Sequence, residues 1–517
     1  MKERLKSFGI PLMIILLLMG ALVIHQLLEV KKQPQPDWSR SVPLGFTSEE
    51  RPQMFFNNGS LFLTDNGKVR QLAFDDQFNI TEDSVKNTKV TRGFPFWTDG
   101  SVFIQMKSGQ LIATKNSKEV VISEEATGLS TSGEKIFYWV ENDLFTVNPA
   151  DLSSKNIHTF SKNIMEVYQG DNGSAIVQEQ QNNASAVLHY MDENEKLAGG
   201  PFATVKISTS HHIDGLTYEV ENNKLTVLYN EELRAQGVLS YKIVKLQSSL
   251  DELGTGTLKP ENLKFLNVDS GENLQGPRSA KLVTVDGKKS ILFTSEGHKL
   301  SDHNAVSVYL APLEDTVSLL QAEAIGTTKH YSYLPFQLSE NSFAWLDYGG
   351  DTYELFGASQ DPEVIASSVE LNKRNVKEAV NNSIMMLFSS VITILISFYW
   401  VLPSLLLLIL LYMFRPNIFE KDGINWVEYA SILIFLFMPF TFMNKSMNGY
   451  FYFAAPDYLT FTGGGYVGIL IITLVTGLIW KFGRNPDWGT FGGVFYFMGV
   501  YILIYVSSFG PYIFNLF

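Results

Sequence analysis

Apolar residues in the middle of the chain alternate with polar ones in short runs that come in pairs. Typical pairs occupy residues 59–74, 100–115, 133–148 and 173–190. Each begins at a glycine, continues as a short apolar strand, turns on polar residues and returns as a second alternating strand. A period of two is the pattern of a β-strand with one buried face. The pattern therefore predicts a series of β-hairpins.

The hairpins recur at a regular spacing. The first four start 41, 33 and 40 residues apart, and further copies occur at 215–230, 288–297 and 341–359. One propeller blade typically takes ~40–50 residues, and closing the blades into a ring protects the sheet edges. We predict that residues 31–366 form an all-β domain, a seven- or eight-bladed β-propeller. A set of β-sandwiches is the alternative, although it needs no even period.

Longer apolar runs lie at both ends of the chain. Residues 383–414 include no charged side chain over 32 positions, more than a bilayer core of ~30 Å requires at ~1.5 Å per helical residue. We expect one helix, kinked at Pro403, because a hairpin would leave legs too short to span. The other predicted spans are 8–24 near the N-terminus and 426–443, 465–480 and 491–514 near the C-terminus.

Basic residues predict the orientation of these spans. Lys2, Arg4 and Lys6 precede the first apolar run, and no small-x-small cleavage site follows it. We therefore expect an uncleaved signal-anchor rather than a cleaved secretory signal. By the positive-inside rule, the N-terminus lies in the cytoplasm and the long middle region lies outside.

The basic residues near the C-terminus agree with this orientation. Arg415 and Lys421 follow the first of the four C-terminal spans, Lys481 and Arg484 follow the third, and the loop between the second and third holds only Lys445. The C-terminus is then extracytoplasmic. The predicted organisation is a cytoplasmic start and anchor at 1–30, the propeller at 31–366, a helical stalk at 367–382 and a four-helix transmembrane domain at 383–517.

Composition narrows the class of protein. The formal net charge is −13, and residues 31–382 alone sum to −14. An acidic domain of this kind repels nucleic acid, so no DNA or RNA partner is expected. The chain contains no cysteine, and an extracytoplasmic domain without disulfides is more typical of bacteria than of eukaryotes. We expect a multi-pass protein of a bacterial cell membrane.

Catalytic signals are sparse. The His/carboxylate clusters are 211–214 and 296–303, and the second supplies the weak metal-ligand candidates Glu296, His298, Asp302 and His303. Neither spacing matches a zinc motif, so polar turn residues are the favoured interpretation. The sequence shows no phosphate-binding glycine loop and no Gly-x-Ser-x-Gly elbow. We predict no cofactor and no catalytic residue. The sequence does not decide whether the protein is an enzyme, but it favours a protein that is not one.

Polar residues are also rare in the predicted spans. Glu428 is the one carboxylate near a span, about one turn from its cytoplasmic end, where we expect it to reach water. Between the second and third C-terminal spans, Tyr450, Tyr452 and Asp457 belong to an aromatic loop typical of a bilayer interface. A lipid or glycan contact is the functional alternative for that loop. Together with Pro403, these residues are the candidates for a role in the membrane.

Small residues indicate close helix packing. Gly464 and Gly468 are four residues apart, as are Gly489 and Gly493, and this spacing lets helix backbones approach. Packing within the bundle and docking of a membrane partner subunit both fit the pattern.

Two functions follow from these features. In the first, the propeller recognises an extracytoplasmic protein or cell-envelope ligand, while the bundle anchors it in the bilayer and docks a partner. In the second, the bundle is a transporter or membrane-embedded enzyme for a hydrophobic or envelope substrate, and the propeller is its lid. The scarcity of intramembrane charge favours the first.

Overall fold

A computed structural model describes most of the chain. The residues it describes are 5–57, 59–86, 89–91, 93–116, 118–130, 135–170, 172–254, 258–297, 305–314, 317–328, 330–419, 425–446, 451 and 454–514. They fall into two compact units. The β unit comprises the described residues from 33 to 369, and the helical unit comprises those from 5 to 32 and from 370 to 514.

Within the described residues of the β unit, four sheets each contain four antiparallel strands in chain order. Their strands are β2 (Met54–Asn57), β3 (Ser60–Asp65), β4 (Lys68–Phe74) and β5 (Ile80–Lys86); β6 (Phe96–Thr98), β7 (Val102–Lys107), β8 (Gln110–Lys115) and β9 (Lys118–Ser123); β10 (Gly128–Leu129), β11 (Ile136–Val140), β12 (Asp143–Val147) and β13 (Ser154–Thr159); and β14 (Ile164–Gln169), β15 (Ala175–Asn182), β16 (Ser185–Met191) and β17 (Ala203–Lys206).

The remaining strands form two further sheets. In one, the order is β1 (Val42–Ser48), β28 (Tyr353–Ser359), β27 (Ser342–Tyr348) and β26 (Tyr331–Ser339). In the other, it is β18 (His211–Glu221), β19 (Lys224–Ala235), β20 (Val238–Ser249), β21 (Glu261–Asn267), β25 (Leu319–Ala324), β24 (Ser307–Pro312), β23 (Lys288–Ser295) and β22 (Arg278–Val285). The parallel pair β21–β25 joins the two halves of this second sheet.

The arrangement of the β unit is propeller-like. Successive sheets are antiparallel meanders, and their first strands lie side by side: β2 contacts β6, β10 contacts β14, β14 contacts β18, and β22 contacts β26. The first strand of the unit, β1, pairs antiparallel with the last strand, β28. The first strand of the β unit is therefore hydrogen-bonded into its last sheet.

Burial explains why these residues form sheets. The inner strands are nearly continuous buried apolar runs, such as β11 with the sequence IFYWV. The last strands of the sheets, such as β5 and β9, are mostly exposed. The close fit is clearest at Gly128, where an added Cβ would come within 2.0 Å of the Trp139 ring. Phe55, Trp97 and Leu129 of three successive sheets belong to one buried apolar cluster, so packing between neighbouring sheets also stabilises the unit.

The helical unit contains most of the long helices. They are α1 (Ile10–Glu29), α3 (Lys373–Phe414), α4 (Trp426–Ser446), the short α5 (Asp457–Thr460), α6 (Gly464–Gly483) and α7 (Gly489–Phe509); the β unit ends with α2 (Pro362–Ser368). Among the described residues, four helices are long and apolar enough to cross a membrane: Ser7–Glu29, Lys373–Phe414, Gly464–Gly483 and Gly489–Tyr512. The apolar part of α4, Trp426–Phe442, is shorter, so the fifth span stays a prediction.

Helix α3 is continuous over 42 residues, with Pro403 inside it. Its length is ~63 Å at ~1.5 Å per residue, which exceeds the ~30 Å of a bilayer core. Serines at every seventh position are buried: Ser383, Ser390, Ser397 and Ser404. Small residues at this interval let α3 lie close to α1, α4 and α7, with which it is in contact.

Candidate functional site

A row of tyrosines crosses three neighbouring strands of the β unit. Tyr331 in β26 is the cross-strand partner of Tyr348 in β27, and Tyr348 is the partner of Tyr353 in β28. Paired residues point to the same face of a sheet. The rings of Tyr348 and Tyr353 lie 4.7 Å apart and are inclined by only 30°. The three strands therefore present their phenol rings side by side.

A fourth tyrosine and an arginine extend the row. Tyr333 lies two residues beyond Tyr331 on β26, and its ring centre is 5.8 Å from that of Tyr331 and 5.9 Å from that of Tyr353. The guanidinium of Arg51 lies 5.3 Å from the centre of the Tyr333 ring. Arg51 is exposed, so the edge of its guanidinium remains accessible while the flat face contacts the ring.

A second arginine lies between two tyrosines at the other end of the row. The guanidinium of Arg278 is 5.0 Å from the centre of the Tyr331 ring and 4.6 Å from that of Tyr241. Its Nη2 donates a hydrogen bond to Glu296 Oε1 at 3.4 Å. Arg278 is only 8% exposed. It therefore holds the two rings in position and is itself neutralised by Glu296.

The residues beneath the row are rigidly held. Ser332, which points to the opposite face, donates from Oγ to Asp347 Oδ1 at 2.5 Å. Both side chains are fully buried, and burial raises the pKa of Asp347. Burial also raises the pKa of the Tyr333 phenol, whose hydroxyl lies beneath the surface.

We call this feature the tyrosine surface. It consists of Arg51, Tyr241, Arg278, Tyr331, Tyr333, Tyr348 and Tyr353. Tyr331 is 38% exposed and Tyr348 is 36% exposed. Tyrosine combines a large apolar ring with a polar tip, which suits a surface that must be both wet when free and covered when bound. Such side chains can take part in ring stacking and in hydrogen bonds.

A groove of about 820 Å³ lies elsewhere in the β unit. It separates the β18–β19 hairpin from the β22–β23 hairpin, and its carboxylates and ammonium groups alternate. Glu219 and Lys289 form an ion pair there, flanked by Glu221, Lys288 and Glu314. The size is that of a ligand pocket, but the charges lie beside the solvent and largely cancel one another.

The structure describes one of the four metal-ligand candidates that the sequence supplied. Glu296 accepts a hydrogen bond from Arg278 in the tyrosine surface, while His298, Asp302 and His303 lie outside the described residues. Groups of three or more His, Cys, Asp or Glu residues suited to a metal ion do not occur in the described part of the chain. A metal role for these four residues stays a prediction.

Other histidines form pairs with glutamates. His211 Nε2 lies 2.7 Å from Glu231 Oε1, across strands β18 and β19. His189 Nε2 lies 2.7 Å from Glu179 Oε2, and Glu179 also accepts a hydrogen bond from Ser161 Oγ at 2.7 Å. These are cross-strand pairs that satisfy polar groups within a sheet.

In the helical unit, the expectation for Glu428 is wrong. The carboxylate does not reach water, because Glu428 is 0% exposed. Its Oε2 accepts a hydrogen bond from Nη1 of Arg484 at 2.6 Å, and Arg484 Nη2 donates to the carbonyl of Gly489 at 3.2 Å. Glu428 Oε1 and Arg484 Nε have no hydrogen-bond partner among the described residues. A glutamate in α4 is thus tied to the arginine that follows α6.

Glycine and asparagine shape this buried pair. An added Cβ at Gly493 would come within 2.9 Å of Glu428 Oε2, so the absence of a side chain there leaves room for the carboxylate. Asn425 accepts a hydrogen bond from the backbone N–H of Val427 at 3.0 Å and donates to Thr490 Oγ1 at 2.7 Å. It therefore links the first turn of α4 to α7.

The other predicted packing glycines have different surroundings. An added Cβ at Gly468 would lie 2.5 Å from the Phe509 ring, and one at Gly464 would lie 2.7 Å from the carbonyl of Leu459. Gly489 is not a packing position: its φ is +59°, and no atom lies within 4 Å of the added Cβ. It is needed for the turn into α7, because few other residues adopt this backbone conformation.

The remaining membrane candidates are only partly described. Pro403 lies inside α3, and Asp457 is the first residue of α5. Tyr450 and Tyr452 lie outside the described residues. Their neighbour Phe451 is fully buried and lies 5.9 Å from the ring of Phe509.

Sequence reasoning missed the tyrosine surface, although a signal was present. Tyr331 and Tyr333 alternate in "YSYL", and "DYGGDTY" places Tyr348 and Tyr353 on either side of a glycine turn. Tyrosines at alternating positions, followed by a hairpin bearing two more, predict one aromatic face.

Comparison with known proteins gives only distant structural likenesses. No protein-family model and no curated protein matches the chain. Among solved structures, it is similar to the N-terminal domain of Nup159, with 10% identity over 63% of this chain and 97% of that one and a TM-score of 0.36. The Vanderwaltozyma polyspora Nup133 β-propeller domain is 8% identical over 62% of this chain and 94% of that one, with a TM-score of 0.37. Trypanosoma rangeli sialidase in complex with sialic acid is 11% identical over 65% of this chain and 60% of that one, with a TM-score of 0.33. All three scores are low, so none identifies a relative.

Proposed function

We propose that this protein is a membrane-anchored recognition protein. In this proposal, the helical unit holds it in the bilayer and the β unit binds an extracytoplasmic ligand or partner. The observation that carries the proposal is the tyrosine surface, in which Tyr331 and Tyr348 stay exposed although two arginines and a buried layer hold the tyrosine row in place. Exposed tyrosine rings offer an apolar face and a polar tip to a ligand, and tyrosine and arginine, with tryptophan, are enriched at the hot spots of protein interfaces.

We further propose that the β unit is a closed ring of seven blades. The eight-stranded sheet then counts as two blades, β18–β21 and β22–β25, linked at their outer strands by the β21–β25 pair. Contact between Phe56 in β2 and Phe336 in β26, with ring centres 5.9 Å apart, supports closure of the ring. Seven first strands around one axis give a rigid support for surface residues.

The proposed orientation places the β unit outside the cytoplasm. It is supported by the basic residues before α1 and by Lys481 and Arg484 after the core of α6. Five spans, with α4 as the third along the chain, then bring the C-terminus to the outer side.

Site-specific photo-crosslinking in intact cells tests this function. A benzophenone amino acid replaces Tyr331 in one variant and Val120 in a control. Val120 lies on strand β9 and is 44% exposed. We expect a light-dependent adduct from position 331 that is absent from position 120 and weakened by Tyr348→Ala. Equal adducts at both positions, or none at position 331, would contradict recognition at the tyrosine surface.

The buried Glu428–Arg484 pair favours one second candidate, a transporter or membrane-embedded enzyme. Ionisable residues inside a membrane bundle are costly and commonly functional, and this pair leaves two buried polar atoms without partners among the described residues. Glu428→Gln should distinguish the two. Loss of the cellular function with normal insertion, together with no effect of Tyr331→Ala and Tyr348→Ala, would favour the second candidate.

A further inference from the structure

We propose that the tyrosine surface binds an uncharged oligosaccharide chain. This inference rests on the proposed function and names the class of ligand. It follows from the geometry of the rings, the polar groups around them and the charge of the β unit.

The ring geometry suits an extended chain of sugars. Tyr331, Tyr348 and Tyr353 stand on three adjacent strands, which lie ~4.8 Å apart in a sheet. This interval is close to the length of one pyranose unit in a linear glycan. Tyr348 and Tyr353 stack on each other with ring centres 4.7 Å apart, so the rings left for sugars are those of the exposed Tyr331 and Tyr348. Neighbouring sugars of one chain can meet these two rings, since each pyranose presents a face of C–H bonds that packs against an aromatic ring.

Hydrogen-bonding groups surround the rings. The exposed Arg51 offers guanidinium N–H donors beside the Tyr333 ring. The hydroxyl of Tyr348 already donates to the carbonyl of Gly350, which fixes the orientation of that ring. Sugar hydroxyls can both donate to and accept from such groups.

The rim of the surface favours a sugar over a protein partner. Hot spots between proteins are enclosed by side chains that exclude water. Here the neighbours are polar or lack a side chain: His330, Gly349, Gly350 and Asp351 are all exposed. An open polar rim suits a ligand that keeps much of its own hydration.

Charge excludes a polyanionic chain. Residues 31–382 sum to −14, so the β unit repels polyanions. Within the surface, Arg278 is already paired with Glu296, which leaves Arg51 as the exposed cation among its seven residues. One exposed cation in an acidic domain matches an uncharged ligand better than a negatively charged polymer.

Calorimetric titration of the full-length protein tests the inference. The protein is placed in lipid nanodiscs, because detergents with sugar headgroups would compete for the site. The probes are the β-1,4-linked hexamers of glucose and of N-acetylglucosamine, with a hyaluronate hexamer as the anionic counterpart. We expect at least one uncharged hexamer to bind, and more tightly than hyaluronate.

Variants locate the binding. Tyr331→Ala and Tyr348→Ala should each weaken it tenfold or more, whereas Tyr331→Phe, which keeps the ring, should weaken it less. Phe94→Ala is the matched control, since Phe94 is an exposed aromatic residue of the β unit (39%) outside the tyrosine surface. It should leave binding unchanged. An unchanged unfolding temperature in each variant shows that the fold is retained.

The outcomes separate this inference from the proposed function. Three results would contradict an uncharged oligosaccharide as the ligand. They are no binding of either uncharged hexamer at millimolar concentration, tighter binding of hyaluronate than of the uncharged hexamers, and equal binding by the parent and the alanine variants. If the photo-crosslink from position 331 still formed, the proposal of recognition at the tyrosine surface would hold, and the ligand would be of another class. If neither binding nor a crosslink were observed, both proposals would fail.

Discussion

At the scale of single residues, Glu166 is a carboxylate of the β unit whose surroundings disfavour its charged form. It lies on β14, the first strand of its sheet, and burial raises its pKa from 4.5 to about 7. The neighbouring phenol of Tyr168 also has a raised pKa, chiefly through burial and partly through the negative charge of Glu166. A group with this pKa changes its charge near neutral pH.

Glu166 should make the stability of the β unit depend on pH. Between pH 4.5 and 7 the folded chain holds the Glu166 proton more tightly than the unfolded chain, so the free energy of unfolding falls as pH rises through this range. Glu166→Gln should match the parent at pH 5 and exceed it by about 1–3 kcal/mol at pH 8. Thermal unfolding of the full-length protein at both pH values measures this difference.

The control for this prediction is Glu119→Gln, because Glu119 is exposed on strand β9. It should not change the pH dependence. A Glu166→Gln variant whose stability follows that of the parent at every pH would show that the carboxylate is not held in a buried environment.

At the scale of elements, hairpins were predictable and helix contacts were not. The segments 59–74 and 100–115 correspond to the hairpins β3–β4 and β7–β8, because these strands have the alternating or apolar pattern that burial on the sheet imposes. The outer strands β5 and β9 have little apolar pattern, since they are mostly exposed. Their pairing depends on backbone hydrogen bonds, which leave no mark on side-chain periodicity.

The Glu428–Arg484 pair shows what sequence periodicity does not contain. The two residues are far apart along the chain and become partners only when α4 packs against α6, with Gly493 leaving space between them. A carboxylate near a helix end was therefore interpreted as water-exposed. The nearest sequence signal is that a charged residue in an apolar bundle needs a partner, and Arg484 was one of few cations available.

Removing one member of this pair should destabilise the helical unit. Arg484→Ala leaves the buried carboxylate of Glu428 without its partner, at an expected cost of about 3–5 kcal/mol. The effect is measured by heating the protein in detergent and recording the temperature at which its monodisperse peak is lost. Lys481→Ala is the control, because Lys481 is an exposed cation in the last turn of α6, three residues before Arg484.

The double variant Glu428→Gln with Arg484→Met should recover part of the lost stability, since no buried charge then remains unpaired. Equal stability of Arg484→Ala and Lys481→Ala would contradict a buried ion pair between α4 and the end of α6.

At the scale of the whole molecule, the division into a β unit and a helical unit was predictable from the sequence. Paired short alternating runs and long uncharged runs occupy separate parts of the chain, and the structure has two compact units that correspond to them. Blade number was left at seven or eight because the repeats vary in spacing, and the long strands β18 to β20 do not resemble the earlier hairpins. The tyrosine surface combines Tyr331, Tyr333, Tyr348 and Tyr353, which the alternation in the sequence could have placed on one face, with Arg51, Tyr241 and Arg278, which come from distant parts of the chain.

We propose that the helices anchor the protein in a membrane with the β unit outside the cytoplasm. Single cysteines in this cysteine-free chain test it directly, with an impermeant thiol reagent applied to intact cells. Glu193 is exposed in the turn after β16, and Lys481 is exposed near the end of α6. We predict that Glu193→Cys is labelled in intact cells and that Lys481→Cys is labelled only after the membrane is permeabilised. Protection of Glu193→Cys until permeabilisation, or labelling of Lys481→Cys in intact cells, would contradict the account.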